Sequence, residues 1–192
     1  MVDYRLPNAR LKDALRVAGI REILTRAETL ERSGRKVIHL EIGRPDYDSP
    51  ACAKNAAIEA LERGDVHYTD MSGTIELRRA IADAVKRDSG MEFDAEREIV
   101  VVAGTMEALA TALFTFLEPG DEVIVPTPFF PAYSLQVTMA NGIPKEVPCR
   151  FENDLKKGGG RFFRLDAADL EAAITPKTRM ILINTPNNPT GA

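Results

Sequence analysis

Cysteine is scarce in this chain and follows no pattern. Cys52 and Cys149 are the only two in 192 residues; they lack metal-ligand spacing, and two thiols in a chain this size make no disulfide framework. Both are read as reduced, which predicts a cytoplasmic protein. Long apolar runs are missing too. None reaches the roughly eighteen residues of a membrane span, and the opening Met1-Val-Asp-Tyr-Arg-Leu-Pro-Asn8 has no apolar leader segment, so secretion is not expected. Basic residues are not in excess: Lys and Arg number 25 against 29 Asp and Glu, a net charge of −4. That argues against a nucleic-acid or acidic-membrane surface, although an anionic small molecule needs only a local pocket. Internal repeats are absent, and the one low-complexity tract, Lys156-Lys-Gly-Gly-Gly160, reads as a mobile surface loop. Neither Gly-x-Gly-x-x-Gly nor a Walker lysine loop occurs, which disfavours dinucleotide and nucleoside-triphosphate binding.

What is present is globular. With 44% apolar residues and charges of both signs, the chain can form one sizeable core or one and a half domains. Ile20, Ile23, Leu24, Ala27 and Leu30 recur at helical spacing up to Gly34, and Val37 to Ile42 reads as a strand. Ser49 and Pro50 make an N-cap and first-turn pair for a helix that Gly64 ends. Leu77, Ile81, Ala84 and Val85 predict another helix after Gly73. Ile99 to Ala103 then reads as a buried strand feeding, through Gly104-Thr105, a helix with Met106, Leu109, Ala110, Leu113, Phe114 and Leu117 on one face. Strands follow at 122–125, 143–149 and 179–184. Helices are expected from Tyr133 to an Asn141-Gly142 stop and from an Asp166 cap to Leu170. Pro144 and Pro148 assign the 143–149 strand to a sheet edge, since each lacks a ladder N–H. The alternation implies an α/β fold with a largely parallel sheet.

Ligands of such sheets bind beyond the carboxyl ends of the strands. Three segments fall there: Gly104-Thr-Met106, Pro126-Thr-Pro-Phe-Phe130, and Asn184 to Gly191. Gly104 before a helix N-terminus suits a monophosphate, but Gly-Thr before a helix is also ordinary capping chemistry. Phe129 and Phe130 can stack on a heteroaromatic ring or simply pad the core. Asn188 can donate an amide hydrogen to a ligand oxygen or only form a turn with Pro189. Tyr68 offers a hydroxyl to a phosphate or is a plain surface aromatic.

Five segments together carry a resemblance that none carries alone: Ile42-Gly-Arg-Pro-Asp46; His67-Tyr-Thr-Asp-Met-Ser-Gly73 with Leu77-Arg78; Val102-Ala-Gly-Thr-Met-Glu-Ala108; Pro119 to Pro128; and Asn184-Thr-Pro-Asn-Asn-Pro-Thr-Gly191. In order and approximate spacing the chain resembles, from about Ile20 to Ala192, the class I/II pyridoxal-phosphate aminotransferases of fold type I. The resemblance implies a three-layer large domain with a mostly parallel sheet, residues 1–46 forming an N-terminal arm and small-domain segment, and residues 47–192 the first part of the cofactor-binding domain. It assigns the cofactor phosphate to Gly104, Thr105 and Met106, ring stacking to Phe130, and the phenolic oxygen to Asn188. Tyr68 would reach the phosphate of a neighbouring subunit, implying a homodimer with shared sites, and Gly43 would meet the substrate carboxylate. Thr127-Pro128 and Asn188-Pro189 correspond to positions of cis peptides in relatives. The implied partners are an amino acid and a 2-oxo acid, with no nucleic acid and no membrane.

The departures shape the expectation. Arg44 stands where many relatives have Glu, and Phe130 where Tyr or Trp is common. No lysine can be assigned as the one that forms a Schiff base with the cofactor, nor can the Asp for the pyridinium nitrogen or the Arg for the α-carboxylate. The last segment reads as the middle of an enzyme, so an N-terminal part without turnover of its own is expected. A lyase or synthase of the same fold and a non-catalytic dimerisation or binding module are the alternatives. By the same resemblance the strands at 122–125, 143–149 and 179–184 should be neighbours, with the 99–103 segment left without its partner.

Overall fold

The computed structural model describes residues 19–40, 42–43, 45–153 and 160–192. In chain order the elements are α1 (Gly19–Arg32), α2 (Ala51–Glu62), α3 (Ile75–Ser89), α4 (Thr105–Phe116), β1 (Glu122–Thr127), α5 (Ala132–Met139), β2 (Ile143–Pro148), β3 (Arg150–Asn153), β4 (Arg161–Arg164), α6 (Ala167–Ala173) and β5 (Thr178–Ile181). The chain divides into two compact units, one of residues 43–108 and one holding the segments 1–42 and 109–192, the division falling inside α4.

In the second of these units a three-stranded parallel sheet has the order β2-β1-β5. This is the neighbour set expected of the three strands, and the proline-bearing β2 lies at an edge. Central β1 is buried on both faces, Val123, Ile124 and Val125 being at most 1% exposed, as a strand flanked on both sides must be. Val123 and Val125 point to one face, where Leu113 and Leu117 meet Val137 of α5 and Ala140 just after it in one core. The stop after α5 works through both its residues. Asn141 takes the left-handed backbone, φ 62°. Gly142 must lack a side chain, because a Cβ there would stand 2.9 Å from Leu117 Cδ1 and 3.0 Å from Val137 Cγ1.

Two register details anchor the amino end of β1. The β1–β5 ladder shifts between Glu122 and Val123. Glu122 accepts a 2.7 Å hydrogen bond from Thr175 Oγ1 and lies 3.5 Å from Lys145 Nζ. Beyond β2 the chain forms an antiparallel β3–β4 hairpin in which Phe151 and Phe163 pack with ring centroids 5.2 Å apart. Arg150 grips Asp169 of α6 with two bonds of 2.8 and 3.0 Å, a bidentate geometry. The sequence reading missed this hairpin, because Phe-Glu-Asn and Arg-Phe-Phe-Arg are too short to show alternation. Residues 154–159 between its strands, which hold all of the Lys/Gly tract but Gly160, lie outside the described residues, as does Arg44.

The unit of residues 43–108 is helical. Asp166 of the other unit and Thr74 here both act as side-chain caps, Thr74 accepting from Leu77 N and Gly90 closing α3 at φ 75°. Three expectations are corrected. The helix after Ser49 begins one residue late, with Pro50 at the cap and no side-chain cap bond. The segment 99–103 is not a buried strand: no ladder forms along it, and Val100 is 65% exposed. The described part of 37–42 is likewise no strand, with Ile38 and Leu40 exposed. Apolar, β-branched runs become strands only where a neighbour completes their hydrogen bonds, and among the described residues neither run has one.

Candidate functional site

Each predicted site residue sits at an element end or in a loop. In the unit of residues 43–108, Gly104 precedes α4 with φ 91° and open space where a Cβ would stand, and Gly104, Thr105 and Met106 are all exposed. A helix start leaves its first amide hydrogens without intrahelical acceptors. The Glu107 carboxylate turns back to accept from Ala103 N, while Glu107 N donates to Gly104 O at 3.1 Å. The Glu107 side chain thus closes the turn as the carboxylate half of a capping box does. Tyr68 is fully exposed in the loop after α2, and Gly43 is exposed with open space where a Cβ would stand. One residue here was quoted in the sequence only as part of a motif: Arg78, 7% exposed, is the buried charged residue of the described chain.

In the sheet-bearing unit, Phe130 is half-buried and meets Tyr133 edge-on, with centroids 5.9 Å apart and planes at 71°. Both cis peptides expected from relatives are present, Thr127–Pro128 and Asn188–Pro189, and Thr185–Pro186 is a third. Asn188 is exposed. Its neighbour Asn187, to which no role was given, donates through Nδ2 to Pro128 O and to Thr190 Oγ1, both at 2.9 Å. The turn is closed by Gly191 N donating to Asn187 O and Asn187 N to Ala192 O, each at 2.7 Å. Asn187 therefore ties the turn after β5 to the turn after β1. The signal that could have found it is the doubled Asn: a single exposed donor needs one amide, and the second must serve the chain.

A cavity of about 340 Å³ opens beyond the carboxyl ends of β1 and β5, lined by Phe129, Tyr133, Cys149, Phe163, Leu182 and Asn187 among others. Among the described residues no charged side chain lines it. Phe130 and Asn188 do not line it, whereas the adjacent Phe129 and Asn187 do. Burial pushes the Cys149 thiol above its ordinary range. The cations near the sheet lie elsewhere. Lys145 faces Glu122 at the amino end of β1, where the Thr175 hydroxyl, then Lys145 and Lys177, hold the Glu122 carboxyl below its ordinary value. Among the described residues no group of His, Cys, Asp and Glu could hold a metal ion, and no helix is long and apolar enough to cross a membrane.

Known proteins share this arrangement in sequence and backbone. The family model for aminotransferase class I and II matches residues 35–192. An aspartate aminotransferase of Rhizobium meliloti is 40% identical over 196 aligned residues, covering 100% of this chain and 46% of the relative. The aromatic-amino-acid aminotransferase 2 of Thermococcus litoralis is 41% identical, covering 90% of this chain and 41% of its own length. Among solved structures, the N-succinyldiaminopimelate aminotransferase of Mycobacterium tuberculosis superposes with a TM-score of 0.83 at 35% identity, over 97% of this chain and 45% of that one. The Rhizobium meliloti aspartate aminotransferase does so with 0.80 at 38%, over 96% and 44%. The chain thus spans less than half the length of these relatives. A family match over most of the sequence, with a parallel sheet that superposes on solved members, places the chain in the class I and II aminotransferases.

Proposed function

We propose that this chain is the cofactor-holding part of a pyridoxal-phosphate aminotransferase that moves an amino group between an amino acid and a 2-oxo acid. The supporting observation is 40% identity to an aspartate aminotransferase across the whole chain, with the matching segments at strand ends and at the start of α4. In this reading residues 1–46 are the arm and small-domain segment, and 47–192 the first part of a three-layer fold type I large domain. Tyr68 would serve the partner subunit of a cytoplasmic homodimer.

The groups present fit the cofactor's chemistry. The turn of Gly104, Thr105 and Met106 would meet the phosphate at a helix start, where the peptide dipoles favour negative charge; Gly104 N itself donates to Val102 O at 2.8 Å. Gly104, with open space at its missing Cβ, lets that anion approach the backbone. Phe130 supplies a flat apolar face for the ring, Asn188 an amide donor for the phenolic oxygen, and Gly43 a backbone contact for the substrate carboxylate. When bound, the cofactor supplies the electron sink that lets a substrate Cα–H bond ionise. The residues of this chain bind and orient; no described lysine lies at the strand ends to carry the proton, since Lys145 and Lys177 flank Glu122 at the other end of β1.

Equilibrium titration of the purified chain with pyridoxal phosphate tests this directly. Saturable binding that inorganic phosphate displaces, and that Phe130→Ala weakens about tenfold, is the expected result. No saturation, or binding indifferent to both phosphate and Phe130, would contradict it.

A further inference from the structure

Arg78 is buried on α3, yet among the described residues no carboxylate is hydrogen-bonded to it. Its Nε donates to Gly73 O at 3.1 Å, and its Nη1 donates to Ala95 O at 2.8 Å and Glu96 O at 3.2 Å. Three carbonyls around one guanidinium are a built arrangement, because a buried cation is costly unless its donors are satisfied. The carbonyls belong to two stretches of chain. Gly73 closes the turn that begins at Asp70, whose Oδ1 accepts from Ser72 N at 2.8 Å and also from Ser72 Oγ, with Gly73 N donating to Asp70 O at 2.9 Å. Ala95 and Glu96 lie in the turn that opens the 99–103 segment, held by Glu98 N donating to Asp94 O at 2.9 Å and Glu96 N to Asp94 Oδ1 at 2.8 Å.

The same two stretches touch again above the guanidinium. Val101 N donates to Ser72 O at 2.9 Å, and a Cβ on Gly73 would stand 2.7 Å from Val101 Cβ and Cγ2. Gly73 also has φ 93°, so both its conformation and its contact exclude a side chain. Follow each stretch outward. The turn at 70–73 lies two residues from Tyr68, and Val101 lies three residues from Gly104.

We infer that Arg78 is a positioning residue for phosphate recognition: it locks the Tyr68 loop and the Gly104–Met106 turn of one chain into a single rigid piece. The inference rests on the proposed cofactor reading. It gives each chain one junction that sets two phosphate contacts, the turn at 104–106 and the hydroxyl at 68, which by that reading serve different sites of a dimer. A residue that acts through phosphate placement should matter for the phosphate ester and not for the ring.

The test compares dissociation constants for pyridoxal phosphate and for pyridoxal, which lacks the phosphate, in the wild-type chain, Arg78→Met, Arg78→Lys and Asp70→Ala. Arg78→Met should weaken pyridoxal phosphate tenfold or more and change pyridoxal less than twofold. Arg78→Lys should not restore it, because one ammonium cannot span both stretches as the planar fork does. Equal losses for both ligands, or full rescue by Lys, would overturn the inference in favour of a general packing or charge role. Should Arg78→Met give no cooperative melt, Asp70→Ala decides: it loosens the 70–73 turn from the surface, and the expected result is a selective loss of about threefold for the phosphate ester. A wild-type chain that binds neither ligand would instead overturn the cofactor reading, and this inference with it.

Discussion

Two adjacent asparagines divide the work of one turn. Asn187 holds Pro128 O and Thr190 Oγ1, whereas Asn188 is exposed. Substituting each by Ala should separate stability from binding. Asn187→Ala loses two part-buried hydrogen bonds and should cost about 1–2 kcal/mol in urea denaturation. Asn188→Ala should stay within about 0.5 kcal/mol of wild type yet weaken pyridoxal phosphate. The opposite assignment, a stable Asn187 variant and an unstable Asn188 variant, would remove the basis for this division. The two cysteines form a second contrast. Cys52 is exposed, while Cys149 lines the cavity and is pushed toward the neutral thiol by burial. Since the thiolate is the nucleophile, iodoacetamide at pH 8 should alkylate Cys52 well before Cys149, as mass spectrometry of timed samples would show. Equal rates would mean that the cavity admits solvent freely.

At the scale of elements, the amino end of β1 makes the sheet acid-sensitive. Glu122 is only 17% exposed and its carboxyl is depressed, chiefly by the Thr175 hydroxyl. A carboxylate with a lowered folded value stabilises above its unfolded value of about 4.3, and that contribution is lost as the pH falls through the folded value. Thr175→Val should therefore lower the urea midpoint most above about pH 5, with the gap narrowing below about pH 4; a gap that is constant with pH would assign the loss to packing alone. Legibility in the sequence followed the locality of the signal. Helices α1, α3, α5 and α6 could be read because period, caps and stops lie within each segment, as Leu77 to Val85, Asn141 and Asp166 show. The β2 edge was legible because Pro144 and Pro148 cannot complete a central ladder. Ile99 to Ala103 misled because a strand is a property of two segments, and apolarity in one cannot supply the other. Arg78 and Asn187 were illegible as supports because a hydrogen bond to a distant carbonyl leaves no trace in spacing.

The whole molecule owes its functional reading to combination. No single feature separated a phosphate cup at Gly104 from a capped helix, or Phe130 as a stacking ring from a core residue. Five segments in order carried the family resemblance in the sequence, and the family match over residues 35–192 with a superposable backbone established the family. The proposed cofactor contacts are spread along the chain, so the central claim is best tested by reading every amide at once. In ¹⁵N-labelled protein titrated with pyridoxal phosphate, the account predicts saturable shifts concentrated at Gly104, Thr105, Met106, Phe130 and Asn188, absent when pyridoxal phosphate is omitted. Shifts confined to the surface lysines, or spread evenly with no saturation, would contradict it.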